Sequence, residues 1–336
     1  MLGSLEKYED AVASGRTAAA AAVINDMLAA GFPPVAVLTE VIAASQRAVG
    51  ARWHRGEWTI AQEHAATAMA VAATKTVSQF VHQTPVTHGR VVIACAEREW
   101  HALPAMMIDC ALRANGWDTT LLGASTSPLR LNQHLQDLGP EAVAVSCSML
   151  GALTTTRRFI EASTAAGVPI VVGGAAFGSD DRRARALGAT AWAPDAQGAV
   201  TAVAGLPAFV PPAAPLPGGS ADEQAALELG HRRLVAVLRE QWSLTSAPSP
   251  GAQPTPAVGA AAEDVLPQVL YAVSAALLTD DPRPVTETFD WVADLVRTRG
   301  LEHARVRELG ECLVSTLAEY PQARALVTRH FPGGLA

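Results

Sequence analysis

Three successive textures in the chain predict a multidomain protein of α and α/β class: a helical bundle, then a doubly wound parallel sheet, then an all-α domain. Residues 1–82 lack β-branched alternation and place apolar residues at helical spacing, as at Val35, Leu38, Val41 and Ile42. From Gly89, short β-rich runs alternate with amphipathic helical stretches; after the Pro/Gly segment FVPPAAPLPGGSA (209–221) the pattern returns to helices. A chain of 336 residues suits such modularity, at roughly 150 residues per domain.

In the first domain (1–82), GFPP at 31–34 and Gly56 mark turns. Thr59 and Gln62 have the spacing of a capping box, which starts the following helix near residue 60. Trp53 and His54 then close one helix, and Glu63 and His64 open the next. The stretch ARWHRGEWTIAQEH is thus a corner that gathers polar and aromatic chemistry at one end of the bundle. In the second domain (88–208), RVVIACA, DTTLLG, AVAVSC, PIVVGG and ATAWA read as near-continuous apolar strands, the pattern of a parallel sheet covered on both faces. Ligands of such sheets sit at the carboxyl ends of the strands. The informative positions are therefore 97–101, 146–150 and 173–177. After the 209–221 linker, the third domain (222–336) reads as helices at about 222–242, 264–279, 284–299, 302–319 and 321–331, interrupted by a mobile loop at 243–262.

Composition narrows the function classes. Apolar residues are 49% and charged residues 17%, enough for buried cores and too apolar for a disordered chain. The net charge of −7 and the absence of a basic block argue against direct nucleic-acid binding, which needs clustered cations. Cys95, Cys110, Cys147 and Cys312 show no CxxC or metal-site spacing and read as reduced packing residues of a cytoplasmic protein. The N-terminus has no signal-peptide pattern, and no apolar run approaches the ~18 residues that span a bilayer.

EWHALP follows the first strand and puts Glu99 and His101 in the first βα loop. A neutral imidazole there can ligate a metal through one nitrogen while a carboxylate fixes the other. By itself, a lone histidine in a loop is more often solvated or structural than a ligand. The arrangement resembles the Rossmann-like cobalamin-binding domain, whose first loop carries Asp-x-His-x-x-Gly with the histidine as lower cobalt ligand. The present form is Glu99-x-His101-x-x-Pro104, and both departures are similar to those of light-sensing members. Ser146 and Ser148 in VAVSCSML match the serine-bearing loop after the third strand. Gly173 and Gly174 match glycines that let the backbone approach the nucleotide tail. GWDTTLLGASTSP and LGATAWAPD extend the resemblance over roughly 88–205.

With that domain downstream, Trp53-x9-Glu63-His64 resembles the helical cap of CarH-type cobalamin photoreceptors. The resemblance implies adenosylcobalamin covered by Trp53, its adenosyl group contacted by Glu63, and His54 able to replace that group after photolysis. His64 would line the same upper face. An ordinary bundle tryptophan with polar neighbours is the bland alternative for this corner. Repressors of that type carry a MerR-like DNA-binding domain ahead of the cap, and this chain is expected to lack one.

The C-terminal domain has the size of a globin-like fold, and a cobalamin sensor joined to such a domain resembles the photocobilins, which bind a bilin such as biliverdin. That resemblance rests on architecture. Candidate bilin contacts are His231, on the stripe of Leu227, Leu234, Val235 and Leu238, with Arg232 and Arg233 for propionates and Tyr271 and Trp291 for stacking. Each also fits an ordinary core or a solvated face, and Cys312 reads as buried packing rather than a thioether site. The expected function is a non-enzymatic photoreceptor acting through a downstream signalling protein or a homodimer. The alternatives are a corrinoid methyl carrier and a light-dependent transcription regulator working through a protein partner. A cobalamin mutase is disfavoured because no barrel of ~250 residues is present.

Overall fold

The computed structural model describes residues 1–242, 256–300 and 302–331. The chain divides into two compact units, Met1–Ala214 and Pro215–Ala336.

The first unit begins with α1 (Leu2–Ala13) and α2 (Thr17–Ala29). A continuous helical run then comprises α3 (Pro34–Ala36), a π-helical segment (Val37–Ile42) and α4 (Ala43–His54). Pro34 stands at the first helical position, where its missing N–H costs nothing. Gly56, at φ 73°, turns the chain into α5 (Ile60–Val81). The Thr59–Gln62 capping box is formed: the Gln62 N–H donates to Thr59 Oγ1 at 3.3 Å and the Thr59 N–H to Gln62 Oε1 at 2.9 Å. The buried face of α5 is rich in alanine (Ala66, Ala70, Ala73), and Tyr8, Ile24, Leu38, Ile42 and Val77 fill the bundle core.

The sheet follows through β1 (Arg90–Cys95), α6 (Ala102–Ala114), β2 (Asp118–Gly123) and α7 (Pro128–Leu138). Next come β3 (Ala142–Ser146), α8 (Leu153–Ala165), β4 (Ile170–Gly173), α9 (Arg182–Ala186), β5 (Ala191–Ala193) and α10 (Ala196–Ala204). The five strands are parallel in the order β2-β1-β3-β4-β5. β3 and β4 are buried along their whole length, and β1 from its second residue, because helices cover both faces. The strand order reverses between β1 and β3, so the loops leaving these neighbours diverge and open a crevice. Cys95, Cys110 and Cys147 are buried here, and burial pushes their thiols up to about 12, in keeping with a packing role.

The 209–221 linker differs from expectation in its first half. Val210 N–H donates to Gly167 O (3.2 Å), Ala213 N–H to Thr164 Oγ1 (3.0 Å), and the buried Arg157 guanidinium donates to Ala214 O (2.6 Å) and Leu187 O (2.7 Å). A Pro/Gly composition signals a break in regular structure but says nothing about a buried arginine that straps it down. The sheet domain therefore extends to Ala214.

The second unit is all-α: α11 (Ser220–Gln241), α12 (Pro256–Thr279), α13 (Arg283–Thr298), α14 (Ala304–Thr316) and α15 (Pro321–His330). Leu234, Leu238, Trp242, Leu266, Phe289, Leu309 and Leu313 form its core. The Glu223 carboxylate accepts the otherwise orphaned N–H groups of Gln322 and Ala323 at the start of α15, at 3.1 and 2.6 Å. α12 starts at Pro256, eight residues earlier than its pattern predicts; the rest of the expected mobile loop, 243–255, lies outside the described residues. No described helix is long and apolar enough to cross a membrane.

Candidate functional site

The loop after β1 is organised around a carboxylate. Glu99 is fully buried, yet both of its oxygens are saturated. Oε1 accepts from the His101 backbone N–H (2.8 Å) and from His101 Nδ1 (2.6 Å); Oε2 accepts from the backbone N–H groups of Ser148 (2.5 Å) and Met149 (2.9 Å). Burial alone would raise the Glu99 pKa. The hydrogen bonds from the His101 ring and from the His101 and Ser148 backbones outweigh it and hold the carboxyl below its ordinary value. Glu99 thereby ties the β1 loop to the β3 loop across the crevice. Arg98, just before it, takes φ 71°, and its N–H donates to Ser125 Oγ at 3.2 Å, so the loop is braced from the β2 side too.

His101 is the N-cap residue of α6, and its side chain is 60% exposed. An ionised carboxylate only accepts, so Nδ1 carries the proton toward Glu99 and the neutral ring keeps its lone pair on Nε2. The Glu99 hydrogen bond raises the His101 pKa, burial opposes it, and the Glu99 and Glu63 charges add to the rise. The Glu63 contribution has a structural meaning: the cap carboxylate lies within electrostatic reach of the imidazole.

Trp53 and His54, both half-buried, are the last two residues of α4. Glu63 sits in the first turn of α5. Its Oε1 accepts from Thr67 Oγ1 (2.8 Å), which in turn accepts from Gln46 Nε2 of α4 (2.5 Å). This chain fixes the carboxylate between the two helices of the corner. The Arg52 guanidinium lies 5.3 Å from the Trp58 ring centroid, and Arg55 pairs with Glu57 at 2.6 Å across the turn. His64 is more open: its side chain is 71% exposed, with Nε2 3.5 Å from Glu63 Oε2.

A cavity of about 240 Å³ lies beside the carboxyl ends of β3, β4 and β5. Ser146, the last residue of β3, pairs in register with Cys95 and Gly173 and lines this cavity; its hydroxyl is buried without a hydrogen-bond partner among the described residues. Gly173 and Gly174 also line it, and neighbouring backbone explains their lack of side chains. A Cβ at Gly173 would strike Ala193 O; one at Gly174, where φ is 104°, would strike Cys147 O. Ser148 serves the site through its N–H. Sequence reading missed the cavity wall formed by Thr39, Ala43, Arg47, Met107 and Asp195. The four-residue spacing of the first three was available in the sequence, but not the fact that they face the sheet.

Among the described residues no cluster of three or more His, Cys, Asp or Glu could hold a metal ion. A single presented imidazole suits a metal that arrives with its remaining ligands, as a macrocycle supplies them. The unpartnered Ser146 hydroxyl, in a cavity that Pro104 of α6 also lines, fits a ligand with a polar group on an extended arm.

In the second unit, His231 and Tyr271 stack at 4.2 Å with an interplanar angle of 11°. Arg232 and Arg233 are exposed next to them in sequence, while Trp291 and Cys312 pack against the core. Among the bilin candidates, His231 and Tyr271 are brought together by this ring contact.

The chain matches known families over most of its first unit. Residues 89–204 match a family described as B12 binding domain, and residues 4–77 match a second family of the same description. The HTH-type transcriptional repressor CarH of Myxococcus xanthus is 31% identical over 165 residues, which is 46% of this chain and 52% of that protein. The chain thus spans about half the length of this curated relative. The monomethylamine corrinoid protein of Methanosarcina barkeri shares the fold, with a TM-score of 0.52 at 19% identity over 58% of this chain and 94% of its own. The first unit accordingly matches two families described as B12 binding domain, one over its helical part and one over its doubly wound part, in a chain similar to CarH over about half its length.

Proposed function

We propose that the chain is a cytoplasmic, non-enzymatic photoreceptor whose first unit holds adenosylcobalamin between the helical corner and the sheet. The observation that carries this reading is the Glu99-anchored imidazole of His101 within electrostatic reach of Glu63 in the cap. When bound, the cofactor supplies a cobalt–carbon bond that visible light cleaves. His101 Nε2 would hold the cobalt of the cofactor, and Glu99 keeps the imidazole in the tautomer that leaves this nitrogen free. Trp53 excludes water from the upper side, and Glu63, braced by Thr67, accepts hydrogen bonds from the sugar of the adenosyl group. His54, next to Trp53 on the same helix, would offer a second imidazole to the cofactor after light. Ser146 and the cavity around it receive the nucleotide tail. A change of partner for His54 at the end of α4 would repack the bundle, a local trigger for a two-state change.

The second unit is read as a globin-like domain that takes biliverdin without a covalent bond, with His231 and Tyr271 opening to admit it and Arg232 and Arg233 meeting its propionates. The output passes to a partner protein or a homodimer, not directly to nucleic acid. Absorption spectra of the full chain reconstituted in darkness with adenosylcobalamin and biliverdin, before and after green light, test both halves. A light-dependent cobalamin change together with a shifted red bilin band is expected. A cobalamin change with an unshifted bilin spectrum would remove the bilin half alone, and a cobalamin spectrum unaffected by the protein or by light would remove the photoreceptor.

A further inference from the structure

The cavity above Ser146 has one wall that the sheet domain does not supply. Thr39, Ala43 and Arg47 come from the cap. They recur every fourth residue, so one helical face carries all three. Thr39 lies inside the π-helical segment Val37–Ile42, which continues directly into α4. Such segments shift the helical register, and they are frequent at functional sites. The same continuous helix that ends in Trp53 and His54 therefore also borders the cavity beside the strand ends.

Arg47 is the one cationic side chain among the residues lining that cavity. It is exposed, and among the described residues it has no ion pair or side-chain hydrogen bond. Asp195, the anionic residue of the lining, is engaged elsewhere: its Oδ1 accepts the Gly198 N–H at 2.7 Å as the N-cap of α10. The cavity thus runs from an exposed guanidinium to a buried, unpartnered hydroxyl, with an otherwise mainly apolar lining of Val, Ala, Ile, Met and Pro side chains. That sequence of groups matches a ligand arm with an anionic joint followed by a flat, weakly polar end. The nucleotide tail of cobalamin has this order, a phosphodiester followed by a base.

We propose that Arg47 binds the phosphodiester of the cobalamin tail, so that the cap grips the ligand at its tail as well as over its axial face. The proposal rests on the cobalamin reading above and deepens it. It makes α4 a rod with two contacts to one ligand, so that tail occupancy and the position of Trp53 and His54 depend on each other.

The test uses the full chain in darkness and two corrinoids, adenosylcobalamin and adenosylcobinamide, the second lacking the phosphodiester and base. Dissociation constants are measured by spectral titration for the wild type, Arg47→Ala and Arg47→Lys, with circular dichroism to verify the fold. Arg47→Ala is expected to weaken adenosylcobalamin roughly tenfold, the scale of one charge-assisted hydrogen bond, and to leave adenosylcobinamide unchanged. Arg47→Lys should recover part of the loss, and the loss should shrink as salt is raised. Equal weakening of both corrinoids, or none of either, would overturn the proposal and make Arg47 an ordinary surface residue of the cap. A wild type that binds neither corrinoid would overturn the cobalamin reading and this inference with it.

Discussion

His101 and His231 are both candidate ligand contacts, and the two units treat them in opposite ways. His101 has one nitrogen fixed by a fully buried carboxylate while its ring is 60% exposed. His231 spends a ring face on Tyr271 at 4.2 Å. The first is organised before any ligand arrives, and the second must give up a stacking partner to receive one. A similar contrast occurs within the first unit at the strand ends. Glu99 is buried with four donors, whereas Ser146 is buried with none. Buried polar groups are normally satisfied, so an orphan beside a saturated neighbour marks the place where something else is meant to bind.

Breaking the saturated member should have the largest effect. Glu99→Ala leaves the His101, Ser148 and Met149 donors facing a void and should lower the stability of the first unit by roughly 3 kcal/mol, read by chemical denaturation. His101→Ala removes one of the four donors to the buried Glu99 and should cost about 1 kcal/mol of unliganded stability, less than Glu99→Ala, while weakening adenosylcobalamin at least tenfold and abolishing the protein-imidazole signature in its spectrum. His231→Ala loses the stack with Tyr271 and should cost about 1 kcal/mol in the second unit, with no effect on cobalamin affinity. Ser146→Ala removes a hydroxyl that gains nothing in the unliganded chain, so stability should change by less than ~1 kcal/mol. Its cobalamin affinity should nonetheless fall. A large stability loss in that variant would mean that the hydroxyl has a partner and that the contrast with Glu99 is wrong.

The smallest effect is one of pH on the unliganded protein. The Glu99 pKa is depressed, so its contribution is present above the unfolded value of about 4.3 and is lost as pH falls through the lower folded value. The His101 pKa is raised, so its contribution is complete below the unfolded value of about 6.5 and is lost as pH rises through the higher folded value. The pair therefore stabilises most between these two limits. The difference in melting temperature between wild type and Glu99→Gln should peak in that window, and a difference that keeps growing above it would contradict the assignment.

Much of the fold was legible because it depends on local pattern. The apolar runs became β1 to β5 within a residue or two, and Thr59 and Gln62 announced the start of α5. What stayed hidden depends on distant groups. Pro and Gly in 209–221 could not reveal that Arg157 and Thr164 hold Val210–Ala214 against the sheet. Glu99 stood out through its neighbour His101, but its second pair of bonds runs to backbone N–H groups some fifty residues later, which have no side-chain signature. Gly173 and Gly174 were assigned to ligand approach, yet a closer constraint comes from the backbones of Ala193 and Cys147. Arg47 has no local signature in the sequence; only the packing of the helix that runs through the π-helical segment brings it to the cavity wall.

Electron paramagnetic resonance of the cobalt(II) form, bound to protein carrying isotopically labelled histidine, reads the axial ligand directly. The account predicts superhyperfine splitting from one protein imidazole nitrogen, altered by the label and lost in His101→Ala. A splitting that ignores the label, or that survives in His101→Ala, would contradict the claim that Glu99 prepares His101 to hold the cofactor.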